Sequence, residues 1–74
     1  MTPTITSQHN DEGAVYAAVS FPEGLKPDDY KIEATVDGAK HLSTGYNDLY
    51  GDPLYIVPVD VPYGADIQVK VVKA

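Results

Sequence analysis

Residues 54–74 read LYIVPVDVPYGADIQVKVVKA, and their alternation decides the fold class. Tyr55, Val57, Val59 and Val61 fall on one side of each second position, and Ala65, Ile67, Val69 and Val71 continue the rhythm. A period of two is the signature of a strand with one buried face. Pro62-Tyr63-Gly64 interrupts the run. Proline presets a turn φ and glycine takes the left-handed conformation that closes a three-residue loop. Counting outward from that loop predicts a β-hairpin pairing Val61 with Ala65, Val59 with Ile67, Val57 with Val69 and Tyr55 with Val71. Asp60, Asp66, Gln68 and Lys70 then share the opposite face.

Upstream, the same rhythm recurs in short runs. Val15, Ala17, Val19 and Phe21 alternate, as do Tyr30, Ile32, Ala34 and Val36. Thr2 to Ser7 reads as a short edge strand with Ile5 inward, and Gln8 to Gly13 as a polar loop. Lys26-Pro27-Asp28-Asp29 reads as a turn or single helical turn. Asp37-Gly38 is a strong hairpin signal. A two-residue turn would leave Leu42 facing water, so a three-residue loop from Asp37 to Ala39 is expected, pairing Ala34 with Leu42 and Ile32 with Thr44. Gly45 to Pro53 reads as the main loop. Recurring prolines and glycines leave no window for a helix beyond about one turn. Strands spaced about 8–12 residues apart indicate one all-β domain over residues 1–74, an antiparallel sandwich of six or seven short strands.

The segment from Val61 to Lys73 resembles the sixth strand of fibronectin type III and related immunoglobulin-like domains. That family carries a proline-glycine turn and then a tyrosine-x-valine-x-valine strand, which Gly64, Val69 and Val71 match. Ile67 stands at the corner-tyrosine position, and the family's core tryptophan is missing. The resemblance implies an immunoglobulin-like sandwich, either stripped down or completed by a strand from a neighbour. It also implies roles in adhesion, fibres or decoration. Fold alone does not fix the role.

Seventy-four residues without a cysteine exclude disulfides and thiolate metal sites. A core this small supplies only about 3–5 kcal/mol. Association is the remaining staple, so a homo-oligomer or a protein partner is expected. Five lysines against eleven carboxylates, a net charge of −6, argue against nucleic acid and anionic membranes as ligands. No apolar run reaches the roughly 20 residues of a membrane span. The first residues have neither the basic nor the apolar region of a secretory signal. The expected location is the cytoplasm as made, with incorporation into a virion as one destination.

No nucleophile elbow, phosphate loop or paired catalytic carboxylate emerges, so no enzyme, no cofactor and no metal site is expected. His41 and Ser43 share a strand face but lack a triad's other parts. Asp48 and Asp52 read as turn residues rather than cation ligands. The six tyrosines stand out, against one phenylalanine and no tryptophan. Tyr46, Asn47, Tyr50, Asp52 and Tyr63 are the expected protein-contact set, because a tyrosine ring on a loop gives rigid contact area with a wet hydroxyl. Tyr46 and Tyr55 serve equally well as plugs for a thin core. The expected function is a non-catalytic structural or decoration module on a larger assembly. A small acidic inhibitor and a carbohydrate-binding module are the alternatives.

Overall fold

A computed structural model of the chain describes residues 2–48 and 51–74. Among these, seven strands form two antiparallel sheets. They are β1 (Thr4–Asp11), β2 (Ala14–Ser20), β3 (Tyr30–Val36), β4 (Ala39–Leu42), β5 (Gly45–Asn47), β6 (Leu54–Pro58) and β7 (Ile67–Lys73). One sheet has the order β1-β2-β6-β5, the other β4-β3-β7. Val15, Ala17, Val19, Ile32, Ala34, Tyr55 and Val57 fill the space between them. No helix among the described residues is long and apolar enough to cross a membrane.

The alternation in residues 54–74 is real, but the predicted hairpin is not. β6 pairs with β2, setting Val57 beside Val15, and β7 pairs with β3, setting Val69 beside Ala34. Both strands aim their apolar residues at the shared interior from opposite sheets. The outward residues explain the choice. The hairpin would set Asp60 directly against Asp66. Pairing with β3 instead sets Lys70 against Glu33, with Nζ and Oε1 3.5 Å apart. The turn itself forms: Ala65 N donates to Pro62 O at 3.0 Å, with Gly64 at φ 79°. It redirects the chain across the sandwich.

The β3–β4 connection also departs from expectation. Asp37 (φ 49°) and Gly38 (φ 89°) both lie in the left-handed region, which is a two-residue type I′ turn. Its twist matches that of the flanking strands, so the strands pair without an extra loop residue. Ala34 therefore opposes His41, and Glu33 opposes Leu42. Leu42 remains half exposed. Leu42→Lys is thus expected to change stability by no more than about 0.5 kcal/mol in a urea titration. A loss of about 2 kcal/mol or more would mean that the leucine is buried after all.

Two predicted loops contain strand. β1 runs on to Asp11, leaving only the turn at Glu12-Gly13, because a bulge between Ile5 and Ser7 resets its register against β2. Gly45–Asn47 forms β5, an edge strand on β6. The 3-10 turn Pro27–Asp29 sits where expected.

The sheet change between β4 and β5 is made at two adjacent residues. Ser43 N donates to Ile32 O in one sheet at 2.8 Å, and Thr44 N donates to Ile56 O in the other at 3.1 Å. Ser43 is buried, and its Oγ accepts from Ile32 N at 3.0 Å in place of a main-chain carbonyl. This crossing delivers Tyr46, three residues on, to the end of the core.

Candidate functional site

The expected contact residues do not gather in one place. Val59 N bonds Gly13 O and Asp37 N bonds Asp66 O, so the β1–β2, β3–β4 and β6–β7 connections share one end of the sandwich. Tyr63 is at that end and fully exposed, at 107%. Tyr46, Asn47 and Asp52 lie at the other end, where Val19 N bonds Pro53 O. Asn47 and Asp52 are exposed, and Asp52 Oδ2 accepts from Thr6 Oγ1 at 3.2 Å. Tyr50 lies outside the described residues.

Tyr46 is half-buried and belongs to an aromatic plug. Its ring lies 5.2 Å from that of Tyr55, and Phe21 lies 6.3 Å from Tyr55 and 5.6 Å from Tyr30. Lys73 Nζ covers the outer ring, 4.9 Å from the centre of Tyr30. These rings reach one another because Tyr46 opposes Tyr55 across the β5–β6 ladder, while Phe21 and Tyr30 flank the connection between the sheets. Each inner hydroxyl has a fixed acceptor. Tyr55 Oη donates to Pro27 O at 2.7 Å, and Tyr46 Oη donates to Asp28 Oδ1 at 2.6 Å. Pro27, Asp28, Tyr30, Ser43, Tyr46 and Tyr55 line a small cleft of about 170 Å³ there.

The electrostatics hold both phenols protonated. Burial, then the neighbouring Tyr46 and Asp28, push Tyr55 up to about 12. The hydrogen bond to the Asp28 carboxylate raises Tyr46, helped by burial and by the charges of Asp28 and Asp48. A phenol so placed donates a hydrogen bond and resists becoming a phenolate base. The plug therefore does structural work. The acceptors Asp28 and Pro27 are hidden from the sequence, because each stands far along the chain from the tyrosine it serves.

The other constellations stay apart or are committed elsewhere. Ser43 Oγ is occupied by Ile32 N, and His41 lies on β4 opposite Ala34. Among the described residues no group of three or more histidines and carboxylates gathers to hold a metal ion.

Two surfaces remain for contact with other molecules. β2 and β6, the middle strands of the larger sheet, carry no charged residue on either face. Their outward residues Tyr16 and Ile56 are paired, as are Ala18 and Leu54, and all are partly or fully open to solvent. The smaller sheet presents Lys31, Lys40 and Lys70 outward with a single carboxylate, Glu33. The other carboxylates sit in the end connections or at the close of β1. Asp11, Glu12, Asp37, Asp60 and Asp66 mark one end, and Glu23, Asp28, Asp29, Asp48 and Asp52 the other. Compared with protein-family models, curated proteins and solved structures, the chain matches none.

Proposed function

We propose that this protein is a non-catalytic structural or binding module, a decoration or assembly protein on a larger particle such as a virion or appendage. The observation that carries the reading is the outward face of β2 and β6. A strand exposed on one side alternates apolar with polar residues, whereas a strand covered on both sides reads as a continuous apolar run. AVYAAVS and LYIVP are runs of the second kind. Tyr16, Ala18, Leu54 and Ile56 thus offer an uncharged patch suited to an apolar protein surface. Asn47 and Asp52 border that side and form its polar rim.

The strand order supports the immunoglobulin-like resemblance. With β1-β2-β6-β5 facing β4-β3-β7, the arrangement follows that family's two sheets, in which one further strand would lie beside β7. The alternatives draw less support. An acidic mimic concentrates its carboxylates in one patch, and here they divide between two ends. A sugar platform needs open, coplanar rings, and Tyr46 and Tyr55 are tilted by 38° with both hydroxyls engaged.

Density-gradient sedimentation of an extract from the cells that make the protein tests the reading. The chain is expected in heavy fractions with a particle. Leu54→Lys combined with Ile56→Lys should move it to light fractions while its circular dichroism is kept. Recovery of the native chain only in light fractions would overturn the assignment.

A further inference from the structure

We infer that two copies of this chain pair through the outer edge of β7, antiparallel and centred on Val69, to make one continuous six-stranded sheet. The inference is independent of the host particle proposed above.

The first observation is the state of that edge. Among the described residues no strand lies beside β7 on the side away from β3. Asp37 N bonds Asp66 O and Ala74 N bonds Asp29 O, so the even-numbered residues of this stretch turn their main-chain groups toward β3. Antiparallel ladders alternate, so Ile67, Val69, Val71 and Lys73 direct their N–H and C=O groups outward. The side chains of Ile67, Val69 and Val71 face the core yet stay half exposed, whereas Val15, Val19 and Val57 on the other sheet are fully covered. The sandwich is open along this side.

The second observation names the occupant. β7 is preceded by Asp60 and Asp66 and ends in Lys70 and Lys73, acidic at its start and basic at its finish. Antiparallel self-pairing sets each acidic start beside the other copy's basic finish, twice. Centred on Val69, the register opposes Ile67 to Val71, Gln68 to Lys70 and Ala65 to Lys73. Every edge lysine then meets a neutral residue. A shift one way sets Lys70 against Lys70, which is repulsive. A shift the other way runs the ladder into the turn at Tyr63-Gly64.

The same register brings the Pro62–Ala65 turn of each copy past Lys73 of the other. There lies a groove of about 560 Å³ lined by Pro3, Ile5, Tyr30, Val71 and Lys73. Tyr63, fully exposed in the single chain, gains a seat. A seated tyrosine covers roughly 150–250 Å², a sizeable part of the roughly 800 Å² per partner of a standard interface. One patch carrying both the anchor and its groove is what a two-fold interface requires.

Sedimentation velocity on the purified chain over a range of concentrations is the test. A reversible monomer–dimer equilibrium is expected. Gln68→Glu places two opposite charges across the interface and should tighten it by about 2- to 30-fold, and Gln68→Lys should weaken it by a similar factor. Tyr63→Ala should weaken it by at least about tenfold. Both positions are exposed, so the fold is spared. A chain monomeric at every concentration overturns the inference. So does a dimer that Gln68→Glu and Gln68→Lys shift in the same direction, or one indifferent to Tyr63→Ala.

Discussion

Replacing Tyr55 with alanine is expected to unfold the isolated domain. Tyr55 is the largest fully buried side chain, and the rings of Tyr46 and Phe21 pack on it. Truncating a buried aromatic ring costs about 3–5 kcal/mol. That matches the about 3–5 kcal/mol that a core of this size supplies. Far-UV circular dichroism should show the loss of strand signal, and a cooperative native-like urea transition would contradict it. Tyr55→Phe separates the ring from its hydroxyl. It should fold and lose about 0.5–1.5 kcal/mol, because Pro27 O gives up one of its two donors and keeps the Tyr30 N–H. The same pair of variants reads the pH dependence. Tyr55 titrates near 12 in the fold against 10 for a free phenol. Its contribution is therefore complete below pH 10 and is lost as the pH climbs from 10 to 12, where the unfolded chain ionises first. Tyr55→Phe should flatten that decline without abolishing it, since Tyr46 is raised as well.

The strands were legible in the sequence because their inward positions are few and strongly apolar. Val15, Ala17, Val19, Ile32, Ala34, Tyr55 and Val57 all sit on the face that alternation assigns them. Strand partners were not legible in the same way. A period of two tells which side chains point inward, but not which of two facing sheets a strand joins. Val57 and Val69 satisfy the pattern equally as hairpin neighbours or across the interior. The clash of Asp60 with Asp66 and the match of Glu33 with Lys70 carried the missing information, in the outward residues that a core-first reading passes over.

The candidate contact site was legible only in fragments. Tyr63 is as exposed as expected and Tyr46 is not, although both sit beside a glycine and within three residues of an aspartate. What separates them is a register three residues upstream. The type I′ turn at Asp37-Gly38 fixes β4 so that Ser43 falls inward opposite Ile32, and the crossing then turns Tyr46 onto Tyr55. Choosing the loop that hid Leu42 put Thr44 in that place and lost the crossing.

Ser43→Ala should therefore cost more than its one hydroxyl suggests. Ile32 is fully buried, and its N–H has Ser43 Oγ as acceptor. Removing that oxygen strands a buried donor, which costs about 1–3 kcal/mol. The return bond, Ser43 N to Ile32 O, survives the change, as does Thr44 N to Ile56 O. The chain should still cross between the sheets but with a loosened pivot. Amide hydrogen exchange locates the effect. The Ile32 amide should exchange faster in the variant beyond what the global loss of stability explains, and faster exchange should extend to Tyr46 and Asn47 in β5. Exchange faster everywhere by one common factor would mean that the hydroxyl acts only through overall stability. Unchanged exchange at Ile32 would mean that the amide has another acceptor. A shift confined to Ile32 and β5 would identify Ser43 as the residue that holds the aromatic plug in place.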